Sequence, residues 1–227
     1  GLFGCFLGVL VALGLEMTDN HFRTLKQLGL RYTVPPTLQV PELKRLTEAN
    51  SYENLLFFLR DLNDRIESIL YRLGKPNKNF SLAFLSSQKD EGKTLLSYSL
   101  ARYYASQKKR VVYLEFDPEI SSLLGKAETH KPNLIQVLRG EVNWKEAIYK
   151  TDVDILTVGT GDIYLKELLK SGTLDKLFED LKNHYEILIF DTPGILDSDI
   201  GPTIAKIDTL NLYVVGSNQT EMSVVDA

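Results

Sequence analysis

The sequence has 227 residues, of which 44% are hydrophobic, and a formal net charge of -4. This length suits one α/β domain together with an anchor and a linker, while the negative charge argues against a nucleic-acid-binding surface. One cysteine and three scattered histidines exclude a disulfide framework and a clustered Cys/His metal site.

The first fifteen residues are apolar throughout, and the first charge is Glu16. Because a membrane helix needs about 20 apolar residues, we interpret residues 1–15 as the C-terminal part of a transmembrane helix in a longer protein. A signal peptide and a buried core helix are the alternatives. Basic residues that favour a cytoplasmic location for the next segment follow at Arg23, Lys26 and Arg31.

A juxtamembrane linker is predicted over residues 16–46, because three prolines interrupt any regular helix there. We expect residues 47–227 to form one domain whose C-terminal part continues beyond this sequence. Its first element is an amphipathic helix that packs on the domain and is ended by Gly74 and Pro76. The apolar residues at helical spacing are Leu55, Leu59, Leu62, Ile66, Ile69 and Leu73.

Apolar and amphipathic segments then alternate along the chain. Strands are predicted over residues 80–85, 111–116, 155–158, 187–190 and 210–215. Helices are predicted over residues 95–104, in the region 134–149, and over residues 174–184. This alternation predicts an α/β fold in which helices flank a parallel sheet.

A phosphate-binding loop is predicted between the first strand and the helix after it. The usual pattern is G-x-x-x-x-G-K-[ST]; Gly92, Lys93 and Thr94 match its second half, and Ser87 stands at its first glycine. Lys93 would reach the β and γ phosphates, and Thr94 would bind magnesium. The alternative is an ordinary strand-to-helix turn. The predicted nucleotide-binding residues are Lys89, Asp90, Glu91, Gly92, Lys93, Thr94 and Leu95.

Carboxylates end two of the predicted strands. Glu115 and Asp117 follow the second strand, and Asp191 follows the strand at 187–190. Since the carboxyl ends of parallel strands face the ligand crevice, these side chains would approach the phosphate loop. Together with Thr94 they are the predicted Mg²⁺ ligands, although a single acidic residue after a strand is more often a helix cap or turn residue.

With these motifs, the chain resembles the bacterial tyrosine kinases (BY-kinases) attached to polysaccharide co-polymerases. Residues 86–94 resemble the Walker A motif of that family, residues 111–117 its Walker A′ motif, and residues 187–193 its Walker B motif. Further similar segments lie at 133–141, 155–159 and 167–171, and at 28–36 next to the membrane. The family places its last membrane helix ahead of such a P-loop NTPase-like domain.

The resemblance implies a membrane-anchored tyrosine autokinase that uses ATP and Mg²⁺ in the cytoplasm, at the bacterial inner membrane. Lys93, Asp117 and Asp191 would be its catalytic residues, with Asp117 assisting the attacking tyrosine hydroxyl. Its partners would be ATP or ADP, its own subunits or tyrosine-containing tail, and the polysaccharide polymerase and export machinery, but no nucleic acid. The implied role is control of capsular or exopolysaccharide polymerisation, chain length and export.

Several positions depart from the family pattern. Leu56 and Leu59 occupy the arginine positions of the ring-assembly motif, Glu115 replaces an aspartate, and Asp90 replaces a loop glycine. No tyrosine cluster ends the sequence. A catalytically degenerate nucleotide-binding co-polymerase module is therefore an alternative function. A partitioning-type ATPase is a third, weaker interpretation, because Gln88 stands where its signature lysine is expected.

Overall fold

A computed structural model describes residues 38, 40, 49–76, 78–117, 132–159, 172–207 and 209–216. The predicted membrane segment 1–15 and almost all of the linker lie outside these ranges. Within the described ranges, no helix combines the length and the apolar character needed to cross a bilayer. Apart from residues 215 and 216, the described residues belong to one compact unit, Leu38–Val214.

The described residues form six helices and six strands, and we number each class in chain order. The helices are α1 (Ala49–Arg72), α2 (Lys93–Ser106), α3 (Leu134–Leu138), α4 (Trp144–Ala147), α5 (Thr173–His184) and α6 (Ile200–Ile204). The strands are β1 (Phe80–Ser86), β2 (Val111–Glu115), β3 (Tyr149–Lys150), β4 (Asp154–Thr157), β5 (Ile187–Asp191) and β6 (Leu210–Val214).

The strands form one six-stranded sheet in the order β3-β4-β2-β5-β1-β6. All neighbouring pairs are parallel except β3 and β4. The predicted α/β fold is therefore confirmed. One detail differs: Tyr149, the last residue of the region predicted to be helical (134–149), begins the short antiparallel strand β3. That region contains two short helices, because Gly140 adopts a positive φ of 73° and the chain turns there.

Both faces of the central strands are buried, as the continuous apolar runs predict. Alternate residues enter two separate cores, which follows from the period of two in a strand. On one face, β1, β2 and β5 pack against α1 and α2 through Leu82, Phe84, Val111, Tyr113, Ile187 and Ile189. On the other face they pack against α3, α4, α5 and α6 through Ala83, Val112, Leu114, Leu188 and Phe190.

Helix α1 packs on the domain through most of the predicted apolar face. Leu59 is buried, with 2% of its surface exposed, whereas Leu56 is 39% exposed. Leu73 is 61% exposed, because the helix has already ended: the N–H of Gly74 donates to the carbonyl of Tyr71, and the N–H of Lys75 donates to that of Leu70. These two bonds form a Schellman motif, which needs the positive φ that Gly74 supplies.

Candidate nucleotide-binding site

The predicted phosphate loop connects β1 to α2 at the carboxyl edge of the sheet. Gly92 precedes α2 with a φ of 90°, in the left-handed region that favours glycine. Lys93 and Thr94 then form the first turn of α2. Because the first N–H groups of a helix have no acceptor within the helix, this turn suits a phosphate ligand.

Lys93 is held inside the loop. Its side chain is 6% exposed, and Nζ donates to Ser86 Oγ at 2.6 Å and to the carbonyl oxygen of Gln88 at 3.2 Å. A buried ammonium is costly unless it is hydrogen-bonded, so these contacts account for its position. The loop therefore carries a fixed positive charge where the sequence predicts phosphate binding.

The other loop residues divide into two groups. Glu91 is buried, and its carboxylate accepts a hydrogen bond from the N–H of Gln88 at 2.8 Å. Lys89 and Asp90 are exposed, and Leu95 is 40% exposed. Asp90 has a φ of 64°, which explains why a glycine at this position suits the loop. Of the predicted nucleotide-binding residues, Glu91 stabilises the loop through this hydrogen bond. Lys89, Asp90 and Leu95 lie on the exposed side of the loop.

Asp191 lies beside the start of α2. Thr94 Oγ1 donates to Asp191 Oδ2 at 2.6 Å, so the two predicted magnesium ligands are adjacent. Tyr113 also donates to Asp191 Oδ2, at 2.9 Å, and its hydroxyl lies 3.0 Å from Ser97 Oγ. Tyr113 is fully buried. Sequence reasoning missed it, because an aromatic residue within an apolar strand has the pattern of an ordinary core residue.

Glu115 and Asp117 complete the acidic group. Glu115 is paired with Asp191 in the register of β2 and β5, and Asp117 is buried two residues further on. Burial, together with the charges of Asp191 and Asp117, raises the pKa of Glu115 to about 8. Burial also raises the pKa of Asp191, although the hydrogen bonds from Thr94 and Tyr113 oppose this effect.

These residues fit a magnesium ion. Glu115 Oε1 and Asp191 Oδ1 are buried with no hydrogen-bond partner among the described residues, which is costly unless a ligand compensates for it. Among the described residues, no three or more His, Cys, Asp and Glu side chains form a metal site by themselves. Magnesium sites in proteins usually have one or two carboxylates and share the ion with waters and phosphates. Thr94 and Asp191, with Glu115 and Asp117 nearby, would hold it.

The segment after β5 packs directly on the phosphate loop. The N–H of Ile195 donates to the carbonyl of Ser86, and the N–H of Leu196 donates to that of Ser87. A Cβ atom at Gly194 would lie 3.0 Å from the backbone of Gln88, so the close approach requires glycine. Sequence reasoning did not assign this role, although a glycine shortly after a strand is a signal of close backbone contact.

A protein-family model described as an AAA domain matches residues 83–210, more than half of the chain. The chain belongs to the AAA domain family. Its AAA domain is of the BY-kinase P-loop type, as the sequence predicted. The tyrosine-protein kinase ptk of Acinetobacter johnsonii is 25% identical over 245 residues, covering 96% of this chain but 32% of that protein. The tyrosine-protein kinase CpsD of Streptococcus agalactiae is 31% identical over 127 residues, covering 54% and 55%.

Solved structures share the fold of this AAA domain. The VpsO kinase domain matches with a TM-score of 0.64 and 22% identity, covering 79% of this chain and 89% of that one. The kinase domain of the Escherichia coli tyrosine kinase ETK matches with a TM-score of 0.63 and 23% identity, covering 86% of this chain and 75% of that one. A third fold neighbour is a cobyrinic acid a,c-diamide synthase from Mycobacterium smegmatis, solved with an ATP analogue and magnesium. It matches with a TM-score of 0.53 and 19% identity, covering 60% of this chain and 58% of that one.

Proposed function

We propose that this chain is the nucleotide-binding part of an ATP-dependent protein-tyrosine kinase that phosphorylates its own subunits. The observation that carries the proposal is the adjacency of the buried Lys93 loop to the pair formed by Thr94 and Asp191. The named tyrosine kinases among the relatives support it. Since the chain spans about a third of the Acinetobacter kinase, the activity of the whole protein belongs to this proposal.

The described residues have distinct roles in this reaction. Lys93 and the first-turn N–H groups of α2 would bind the phosphates and stabilise the charge that develops during transfer. Thr94 and Asp191 would hold Mg²⁺, and Glu115 and Asp117, the other two predicted ligands, would lie near the ion. When bound, Mg²⁺ supplies charge neutralisation for the phosphoryl group. Asp117 would accept the proton of the attacking tyrosine hydroxyl.

The proposed setting is the bacterial inner membrane, with residues 1–15 as the end of the membrane anchor and residues 16–46 as the linker. Residues 47–227 would be the cytoplasmic kinase domain. Its substrates would be its own subunits or a tyrosine-containing tail. The proposed partners are the polysaccharide polymerase and export machinery, and the proposed role is control of capsular or exopolysaccharide chain length. The apolar start of the sequence and the relation to tyrosine kinases support this setting.

Nucleotide affinity tests the site. The purified chain in detergent should bind Mg-ADP in calorimetry, and Lys93→Ala should weaken binding by about tenfold or more, because it removes a charge-assisted contact with phosphate. Lys108→Ala is the matched control, since Lys108 is an exposed lysine just beyond the other end of α2. Equal affinities of wild type and Lys93→Ala would contradict the nucleotide site.

A catalytically degenerate co-polymerase module is the second candidate, and Glu115 is the observation that favours it. A glutamate is one methylene longer than the aspartate of the family pattern, and magnesium tolerates little displacement of its ligands. Phosphate transfer by wild type and Glu115→Asp separates the two functions. Turnover that is preserved or raised in Glu115→Asp supports the kinase, whereas nucleotide binding without turnover in either protein supports the degenerate module.

A further inference from the structure

Tyr213 contacts the phosphate loop from the neighbouring strand. It lies in β6, which pairs with β1, and its hydroxyl is 2.6 Å from Ser87 Oγ. Ser87 is fully buried and occupies the first glycine position of the usual loop pattern. The hydroxyl of a tyrosine is thus hydrogen-bonded to the loop that binds phosphate in this fold. A glycine at position 87 could not make this contact.

Tyr213 is nevertheless partly accessible, although its hydrogen bond to Ser87 is partly buried. It is 41% exposed, and among the tyrosines whose side chains the structure describes only Tyr71 is comparably exposed, at 73%. Tyr71 lies in the last turn of α1, which comes before the amino end of β1. The phosphate loop follows the carboxyl end of β1. Tyr104, Tyr113 and Tyr185 are buried. Tyr213 therefore combines accessibility with contact to the loop.

We propose that Tyr213 is a phosphorylation site and that its modification weakens nucleotide binding, which would make it a feedback control on the kinase. The inference rests on the proposed kinase function. In the transfer, the Tyr213 hydroxyl oxygen bonds to the γ-phosphorus of ATP, and the bond from that phosphorus to the bridging oxygen breaks. ADP leaves with the electron pair, and the hydroxyl proton passes to a carboxylate or to water.

The expected effect follows from charge. A phosphate on tyrosine adds a charge of about -1.5 to -2 and replaces the hydroxyl proton, so Tyr213 can no longer donate a hydrogen bond across its 2.6 Å contact with Ser87. Glu91 lies in the same loop, where its carboxylate accepts a hydrogen bond from the N–H of Gln88, the residue after Ser87. Burial raises the pKa of the Tyr213 hydroxyl, the hydrogen bond with Ser87 opposes this, and the Glu91 charge adds to the increase. A new dianion would be repelled by Glu91 and by the phosphates of a bound nucleotide.

Mass spectrometry of the purified chain after incubation with Mg-ATP is the first test. We expect more phosphate on Tyr213 than on the more exposed Tyr71, and none on either residue in Lys93→Ala. Absence of phosphotyrosine anywhere would overturn both the kinase proposal and this inference. Phosphotyrosine at other positions but not at Tyr213 would overturn this inference and leave the kinase proposal standing.

Affinity for Mg-ADP is the second test. It should fall by about tenfold as phosphate accumulates on wild type, since a single charged contact has this order of effect. No such fall should occur in Tyr213→Phe, whereas Tyr71→Phe should behave as wild type. Tyr213→Glu should bind Mg-ADP more weakly than Tyr213→Gln, which isolates the charge from the loss of the ring. Unchanged affinity after phosphorylation, or equal affinities of the Glu and Gln variants, would overturn the proposed control.

Discussion

Replacing Glu115 with glutamine should stabilise the protein at alkaline pH and have little effect near pH 5. Glu115 ends β2 with 1% of its surface exposed. Burial and the charges of Asp191 and Asp117 raise its pKa to about 8. Glutamine keeps the shape of the side chain and removes the charge. The variant therefore separates the cost of the buried carboxylate from the packing of the residue.

The sign follows from proton linkage. Between the ordinary pKa of 4.5 and about 8, the folded protein binds more protons at Glu115 than the unfolded chain does. The free energy of unfolding therefore falls as the pH rises through this window. The free energy of unfolding falls by about 1.4 kcal/mol per pH unit, so the fall across this window is at most about 5 kcal/mol. Above about pH 8, Glu115→Gln should be more stable than wild type by up to this amount.

Urea unfolding at about pH 5 and about pH 8.5 measures this difference. Glu186→Gln is a control without this pH dependence: the hydrogen bond from the backbone N–H of Arg110 is the largest of several effects that lower the pKa of Glu186, so its stabilising charge is already present at about pH 5. That variant should lose stability by a similar amount at both pH values. If Glu115→Gln changed the free energy of unfolding equally at both pH values, the effect would be one of packing, and the reasoning about charge would be refuted.

Two further predictions concern the phosphate loop and α1. Asp90 and Lys108 have φ values of 64° and 61°, where a side chain costs about 1 kcal/mol. Glycine at either position should therefore raise the melting temperature, but only Asp90→Gly should also tighten Mg-ADP binding in calorimetry, because it removes negative charge from the loop. Equal affinity gains in both variants would contradict this. Leu59→Ala should lower the free energy of unfolding, measured in urea, by about 2–5 kcal/mol. Leu56→Ala, at an exposed position, should lower it by less than about 1 kcal/mol. Equal losses in the two variants would show that α1 does not pack through Leu59.

Much of the fold could be predicted because its strongest determinants are local. Strands buried on both faces give continuous apolar runs, and the loop motif identifies the strand end that faces a ligand. The register of β2 and β5 then brings Glu115 opposite Asp191, as their positions at strand ends indicate. Thr94 follows the carboxyl end of β1 and Asp191 ends β5, so the carboxyl edge of the sheet brings these two residues together.

The missed features depend on contacts between residues far apart in sequence. Tyr113 is 78 positions from Asp191, and Tyr213 is 126 positions from Ser87. Neither tyrosine has a local pattern that separates it from a strand residue in the core or at the surface. The short antiparallel strand β3 was missed because two residues give no measurable alternation.

Strand β3 also limits how the sheet can grow. Among the strands of the described residues it forms one end of the order, and it has only two residues, Tyr149 and Lys150. An open sheet edge is a template for pairing with another chain, and proteins protect it with very short strands and with lysine. Copies of this chain should therefore not join through backbone hydrogen bonds at the β3 edge. Any assembly on that side must rely on side-chain contacts, which can dissociate without unravelling the sheet.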